Sequence, residues 1–149
     1  MNTLYIIRGV SGSGKTTLAR KLAEELVCCY HEADQFFTNS SGNYNFNPAQ
    51  LPRAHEWCRE GVQNDLRGNN PTVVSNTFTT IKEIAPYIEM AKELDCKAMI
   101  ITCTGQYDNV HGLTEAQVMK QRKRFASNWD LARHFKDEVD SGMLTFGVN

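Results

Sequence analysis

GVSGSGKT, residues 9–16, is the stretch of sequence that decides the fold. The apolar run at residues 3–7 before it predicts a β-strand. Residues 17–26 after it predict an α-helix, because leucines recur there at every fourth position. A strand, a glycine-rich loop and a helix in this order predict a phosphate-binding loop. The alternative, a chance glycine-rich turn that ends in a surface lysine, is disfavoured by how well the flanking elements fit.

The residue types of this loop suit phosphate chemistry. Glycines let the backbone curl so that its N–H groups point at phosphate oxygens, and the helix N-terminus adds partial positive charge. Lys15 can reach the β- and γ-phosphates, and the Thr16 hydroxyl can bind Mg²⁺. We therefore predict that a nucleoside triphosphate binds here with Mg²⁺. The predicted nucleotide-binding residues are Gly9, Ser11, Gly12, Ser13, Gly14, Lys15, Thr16 and Thr17.

Length and composition limit what else the chain can be. Its 149 residues suit one domain, residues 1–149, and 41% hydrophobic with 22% charged residues is typical of a soluble protein. No apolar stretch has membrane-spanning length and the first strand begins at Thr3, so we expect a cytoplasmic protein without a signal peptide or membrane partner. A net charge of −1 gives no overall attraction to duplex nucleic acid, although a local patch could exist. The five cysteines lack C-x-x-C spacing, which indicates free thiols rather than a metal site.

Apolar patterning predicts alternating strands and helices. Strands are expected at 3–8, 29–33, 72–75, 97–103 and 143–148, and helices at 15–28, 48–66, 80–94 and 114–136. Asn47 is expected to cap the second helix, and the polar segment 38–47 to form a loop over one end of the sheet. This alternation predicts an α/β fold with a mostly parallel central sheet and helices on both faces. Ligands bind at the carboxyl ends of the strands in such sheets.

Three polar segments fall where these strand ends should lie. Asp34 could accept a proton from an attacking hydroxyl or hold Mg²⁺ through water, or it could be an ordinary cap or turn residue. The segment Ser75-Asn76-Thr77 could orient an acceptor, or provide only turn chemistry. The basic run at 120–124 could stabilise a transferring phosphoryl group or contact a phosphate backbone, or it could be a solvated helix face. At most two side chains of that run can face one site.

Aromatic and histidine residues give weaker signals. Some of the aromatic side chains could stack a base, as they do in proteins that bind single strands. Trp57 lies in a helical pattern and is expected to belong to the core. Neither His55 nor His111 has metal-ligand spacing to another residue of ligand type. The aromatic candidates are Phe36, Phe37, Tyr44, Phe46 and Trp57.

An ordered set of motifs resembles one family. The set comprises residues 9–17, 34–37, 42–48, 54–57, 73–77, 85–87 and 111–112. It is similar to the small P-loop kinases related to polynucleotide 5′-kinase, and especially to predicted ATP-binding proteins of phages and bacteria that share this domain with eukaryotic polynucleotide-kinase-like proteins. The resemblance extends over residues 3–125 and implies a P-loop NTPase fold.

The resemblance implies transfer of the γ-phosphoryl group of ATP to a hydroxyl, in this family the 5′-hydroxyl of a nucleic acid end. It implies that Asp34 is the general base, placed where it can also approach the metal, and that Lys15 and Thr16 contact phosphates and Mg²⁺. It places Asn76 and Thr77 on the acceptor side. It assigns His111-Gly112 to the lid, the segment that closes over the site.

The chain departs from the family pattern in two places. No carboxylate lies within Val74–Phe78, where the family has an acidic residue, and Asp108-Asn109 stands where the family has Arg-Asn in a longer lid. Arg122 or Arg124 could supply the missing catalytic charge. Three hypotheses remain: a kinase for a polynucleotide end, nucleoside or nucleotide; an ATP-binding module or slow NTPase that acts as a switch; and a kinase for another small molecule. The sequence makes no prediction of oligomeric state.

Overall fold

A computed structural model describes residues 2–107 and 112–149. Five strands, all parallel, form one sheet in the order β2-β3-β1-β4-β5. The strands are β1 (Thr3–Arg8), β2 (Tyr30–His31), β3 (Thr72–Ser75), β4 (Lys97–Thr102) and β5 (Leu144–Val148). Because the strands are parallel, all their carboxyl ends meet at one edge, and the glycine-rich loop follows the central strand β1 at that edge.

Helices cover both faces of the sheet, which confirms the predicted fold class. The helices are α1 (Lys15–Leu26), α2 (Leu51–Arg67), α3 (Ile81–Glu93), α4 (Glu115–Arg124), α5 (Asn128–His134) and α6 (Lys136–Asp140). Helix α1 packs through Ala19 and Ala23 against one face of the sheet. Helices α2, α3 and α5 bury their apolar stripes against Leu4, Ile6 and Ile100 on the other face. Burial of this apolar surface on both faces stabilises the sheet.

The predicted helix at 114–136 is wrong as a continuous element. Phe125 leaves the helical conformation with φ −70° and ψ 109°, and Ser127 then caps α5. Ala126 lies between them: its N–H donates to the carbonyl of Thr79 at 2.7 Å, and its carbonyl accepts from the guanidinium of Arg8 at 2.8 Å. These long-range contacts hold the connection extended, whereas local periodicity favours one helix.

Arg8 is a fully buried cation at the end of β1. Its Nε donates to the carbonyl of Phe78 at 3.1 Å, and its guanidinium lies 3.8 Å from the centre of the Phe125 ring. Burial lowers the pKa of Arg8 to about 10, and the charge of Glu83 opposes that shift. Arg8 therefore ties the central strand both to the loop after β3 and to the start of the α4–α5 connection.

Strand β2 is shorter than the predicted strand at 29–33. Tyr30–His31 pair with β3, and Ala33–Phe37 then form a 3₁₀ helix that carries Asp34 in its first turn. A second 3₁₀ helix, Pro48–Gln50, leads into α2, and the predicted cap is confirmed because Asn47 Oδ1 accepts from Ala49 N at 3.1 Å. Along the described ranges, 2–107 and 112–149, no helix is long and apolar enough to span a membrane.

Candidate active site

The glycine-rich loop curls back over the end of β1 as predicted. Gly12 and Gly14 have φ of 82° and 91°, in the left-handed region that side chains disfavour. A Cβ on Gly9 would lie 2.1 Å from Ser13 Oγ and 3.0 Å from the carbonyl oxygen of Cys103, so only glycine fits there. The loop is tied to the sheet edge, since Gly9 N donates to the carbonyl of Thr77 at 3.2 Å.

Lys15 begins α1 and faces two carboxylates. Burial lowers the pKa of Lys15, and the nearby carboxylates of Glu32 and Asp34 oppose that shift. A partly desolvated ammonium group at a helix N-terminus is a strong site for phosphate oxygens, because little water competes for it. These surroundings suit a phosphate ligand, and the contact of Lys15 with phosphates stays a prediction.

Thr16 lies next to a carboxylate that the sequence analysis did not identify. Its hydroxyl donates to Glu32 Oε1 at 2.8 Å, and Glu32 is 8% exposed. Glu32 follows β2 directly, so it lies at the carboxyl edge of the sheet where a polar side chain could have been expected. The sequence analysis missed Glu32 because the predicted strand at 29–33 included it, whereas β2 ends at His31.

The donor set at Thr16 fits Mg²⁺. A hydroxyl backed by carboxylates offers the hard oxygen ligands that this ion prefers. In the part of the chain that the structure describes, no group of three or more His, Cys, Asp or Glu side chains could hold a metal by themselves. Mg²⁺ bound with a nucleotide typically keeps several waters and takes one or two protein oxygens, a role that the Thr16 hydroxyl beside Glu32 fits.

Asp34 lies in the same cleft as the loop. The Tyr44 hydroxyl donates to Asp34 Oδ1 at 3.3 Å. Burial and the charge of Asp34 raise the pKa of Tyr44 to about 12, so this hydroxyl stays protonated and acts as the donor. The backbone at Ala33 is fixed as well, because Ala33 N donates to Asn76 Oδ1 at 2.9 Å.

The other two predicted acceptor-side residues make structural contacts. Asn76 is 7% exposed, and its amide group contacts Ala33 N and, at 3.8 Å, the Cys58 sulfur. Its side chain therefore holds the segment that carries Asp34 instead of opening into the cleft. Thr77 supports the glycine-rich loop through its carbonyl oxygen. Neither residue lines the cleft, so direct contact with an acceptor stays a prediction.

Helix α4 reaches the loop through a residue that was not predicted. Gln121 Oε1 accepts from Ser11 N at 2.8 Å, and Gln121 Nε2 donates to Ser11 Oγ at 3.2 Å. Arg122 and Arg124 are exposed, and neither lines the cleft. Arg124 instead borders a separate depression next to α3 and α5. A catalytic role for either arginine stays a prediction and requires α4 to turn or shift when substrates bind.

The cleft joins these groups in one volume of about 830 Å³. The loop and the start of α1 supply one part of the lining, from Ser11 to Lys21. The rest comes from Tyr30, Glu32, Asp34, Gln35, Thr38 and Tyr44 and from Thr104, Gly105, Tyr107 and Asn149. A triphosphate and a second small group fit in this volume together. The lid residues Asp108, Asn109 and His111 lie outside the described residues, and Gly112 is exposed.

An all-parallel sheet with a glycine-rich loop between its central strand and the first helix defines a P-loop nucleotide-binding domain. The family described as an AAA domain matches residues 4–126, and the chain belongs to that family. An uncharacterized protein of Pasteurella multocida is 31% identical over 137 residues, which cover 80% of this chain and 73% of that protein. Human NEDD4-binding protein 2 is 25% identical over 134 residues. Those residues cover 82% of this chain, which spans only 8% of the human protein's length.

Several solved structures, a gluconokinase among them, share the fold. A gluconokinase from Sinorhizobium meliloti superposes with a TM-score of 0.62 at 13% identity, covering 99% of this chain and 82% of the kinase. The Pnkp1/Rnl/Hen1 RNA repair complex contains a chain with a TM-score of 0.58 at 17% identity, covering 95% of this chain and 45% of that one. Kti12 of Chaetomium thermophilum, solved with ADP-AlF3, superposes with a TM-score of 0.62 at 14% identity, covering 97% of this chain and 88% of the Kti12 chain. At these identities the likeness shows the fold, and together with the family match it confirms the predicted relationship to P-loop kinases.

Proposed function

We propose that this chain is an ATP-dependent kinase that transfers the γ-phosphoryl group to a hydroxyl, with the 5′-hydroxyl of a polynucleotide, nucleoside or nucleotide as the acceptor. One observation carries the proposal. Asp34 and the phosphate-binding loop line the same cleft, and Asp34 is near enough to Lys15 for its charge to act on the ammonium group, so an acceptor bound in the cleft can contact the carboxylate while it faces the phosphoryl donor. The family match supports ATP-dependent phosphoryl transfer as the class of reaction.

Asp34 acts on the acceptor in this mechanism. Its carboxylate accepts the proton of the attacking hydroxyl, while the hydrogen bond from Tyr44 holds one of its oxygens in place. Phosphoryl transfer requires the nucleophile and the leaving oxygen in line with the phosphorus, so most of the catalytic effect comes from positioning. The contact between Asn76 and the backbone at Ala33 supports that positioning.

Lys15 and the loop act on the donor. The loop N–H groups and the start of α1 surround the phosphates, and the Lys15 ammonium neutralises negative charge that develops between the β- and γ-phosphates. Mg²⁺, when bound with the nucleotide, supplies further charge neutralisation between the phosphate oxygens. Thr16 is the protein ligand that we assign to the ion, and Glu32 orients its hydroxyl. Asp34 is the second residue proposed to approach the ion through water.

A transfer assay with an acceptor panel tests this proposal. Purified protein is incubated with γ-labelled ATP, Mg²⁺ and one acceptor at a time: a 5′-hydroxyl DNA or RNA oligonucleotide, a nucleoside, a nucleotide or gluconate. We expect label on an oligonucleotide or nucleoside, and no label when the 5′ end is already phosphorylated. Label on gluconate alone would show a small-molecule kinase instead.

ATP binding without transfer to any acceptor would overturn the kinase proposal and favour a nucleotide-binding module or slow NTPase. Lys15→Met serves as the control for the assay. Because this variant removes the charge that faces the phosphates, label found equally with Lys15→Met would indicate a contaminating kinase.

A further inference from the structure

The segment between the first 3₁₀ helix and α2 is an ordered hairpin, although its sequence reads as a plain polar loop. Thr38 and Tyr44 form an antiparallel bridge, and Asn45 N donates to the Phe37 carbonyl at 2.9 Å. At the turn, Asn39 Oδ1 accepts from the N–H groups of Ser41 and Asn43 at 2.9 and 3.0 Å. The hairpin therefore holds the side chains that it carries in a fixed place beside Asp34.

Two aromatic rings on this hairpin are exposed and nearly parallel. Tyr44 and Phe46 are 44% and 45% exposed, their planes differ by 10°, and their centres are 6.5 Å apart. Phe37, which is buried, packs edge-on against both at 6.5 and 5.0 Å. The contacts with Phe37 leave Tyr44 and Phe46 nearly half exposed, so apolar ring surface stays in contact with solvent.

Tyr44 joins this surface to the proposed catalytic carboxylate. The Tyr44 hydroxyl donates to Asp34 Oδ1 at 3.3 Å. The Tyr44 ring is therefore next to the carboxylate that an acceptor hydroxyl must contact. In a nucleoside or at a nucleic acid end, only the sugar separates the 5′-hydroxyl from the base. A base attached to that sugar therefore lies within reach of the hairpin rings.

The distribution of charged side chains in the cleft also favours recognition of the base. Among the described residues that line the cleft, the cations are Lys15, Arg20 and Lys21, all of which belong to α1. Arg20 donates to the Tyr30 hydroxyl at 3.0 Å. The lining side chains from the segment that carries Asp34 and from the hairpin are Asp34, Gln35, Thr38 and Tyr44, which include no cation to bind an acceptor phosphate or carboxylate.

We infer that Tyr44 and Phe46 form the acceptor-base subsite, a stacking surface that selects 5′-hydroxyl acceptors by their terminal nucleobase and not by the adjacent phosphate. The inference rests on the proposed kinase function and adds the residues that determine specificity. Stacking tolerates any base, since every base has an aromatic face. The surface thus accepts a nucleoside or an oligonucleotide end through the same contact, and it does not recognise a sugar acid.

The test compares two short 5′-hydroxyl oligonucleotides that differ only in whether the terminal nucleotide carries its base or is abasic. For each enzyme, the ratio of kcat/KM between the two acceptors reports base recognition and cancels changes in the chemical step. We expect wild type to prefer the intact end by about tenfold, the effect of one stacked base. Phe46→Leu, which keeps an apolar side chain on Phe37, should reduce the ratio by about threefold or more, and Tyr44→Leu combined with Phe46→Leu should bring it near one.

Two further variants act as controls. Tyr44→Phe keeps the ring and removes the hydroxyl, so it should lower kcat with both acceptors and preserve the ratio. Phe46 lies outside the cleft lining and joins the surface through its stacked contact with Tyr44, whereas Trp129 belongs to α5 and not to the hairpin. Trp129→Leu, which removes a larger aromatic residue that is 70% exposed, should therefore change nothing. Circular dichroism melts check that each variant folds.

Binding of the same oligonucleotides, followed by fluorescence anisotropy with a non-hydrolysable ATP analogue present, separates this inference from the proposed function. Transfer that occurs equally on intact and abasic ends would overturn the proposed stacking surface but would still support the proposed kinase function. Base-dependent binding that Phe46→Leu weakens, without transfer, would support the surface and overturn the kinase. Binding that does not depend on the terminal base would overturn the surface whether or not transfer occurs.

Discussion

The Thr16 hydroxyl donates a 2.8 Å hydrogen bond to Oε1 of Glu32 and so joins the start of α1 to the end of β2. This contact fixes the hydroxyl that we assign to Mg²⁺, and it places a buried carboxylate behind it. Residues that orient a metal ligand typically change metal affinity by about 10- to 100-fold when they are replaced.

Glu32→Gln should therefore raise the Mg²⁺ concentration needed for half-maximal transfer by about tenfold, because the amide holds the hydroxyl without negative charge. Saturating Mg²⁺ should restore most of the rate. Titrating the transfer rate against Mg²⁺ measures this, and Glu25→Gln on the exposed surface of α1 is the matched control. An unchanged Mg²⁺ dependence in Glu32→Gln would remove Glu32 from the metal site.

Lys15 should give ATP binding a distinctive pH dependence. Burial lowers its pKa, so in the free protein it loses its proton at a lower pH than an ordinary lysine. ATP binds the protonated form more tightly, and affinity should therefore decline as pH rises through the lowered pKa. Calorimetry between pH 7 and 10 measures the decline. Lys15→Met should bind weakly at every pH without that decline, whereas Lys21→Met should keep it.

Gly9 tolerates no side chain, because a Cβ there would lie 2.1 Å from Ser13 Oγ. Gly9→Ala should lower the free energy of unfolding by about 1–3 kcal/mol, the usual cost of overpacking. Ser13→Gly removes the clashing hydroxyl, so the double variant should regain part of the loss. Urea denaturation of the three variants checks this. Additive losses in the double variant would show that the contact with Ser13 is not the cause.

Helix α4 offers a comparison between three neighbouring side chains. Gln121 contacts Ser11 in the loop, whereas Arg124 borders the depression beside α3 and α5. Gln121→Ala should lower kcat for transfer by up to about 100-fold, because a displacement of about 1 Å at a positioning contact can cost that much. Arg124→Ala should change kcat by less than about threefold. A large loss in Arg122→Ala or Arg124→Ala would show that α4 turns its arginines into the cleft when ATP binds.

The sequence predicts those parts of the molecule that depend on local contacts. The loop at 9–16, the strands around it and the Asn47 cap all follow from residues a few positions apart, and the structure contains them. The break between α4 and α5 depends on Thr79 and on Arg8, which are distant in sequence, so periodicity alone gave one helix.

The site follows the same division. The positions of Lys15, Thr16 and Asp34 in the cleft were predictable because two belong to the loop motif and the third was expected at the end of a strand. Glu32 was missed because the predicted strand at 29–33 included it, whereas β2 ends at His31. Gln121 was missed because its partner, Ser11, is distant in sequence. Asn76 was identified at the correct edge of the sheet, but its side chain is directed to the backbone at Ala33.

The most direct test of the central claim is single-turnover transfer from γ-labelled ATP to a 5′-hydroxyl oligonucleotide by wild type and by Asp34→Asn, with ATP affinity measured in parallel. We expect wild type to label the oligonucleotide, and Asp34→Asn to bind ATP normally while transferring at least about a hundredfold more slowly, since its amide cannot accept the proton. Equal rates for the two proteins would contradict the assignment of Asp34 as the base. Absence of label with wild type, despite ATP binding, would contradict the proposed reaction itself.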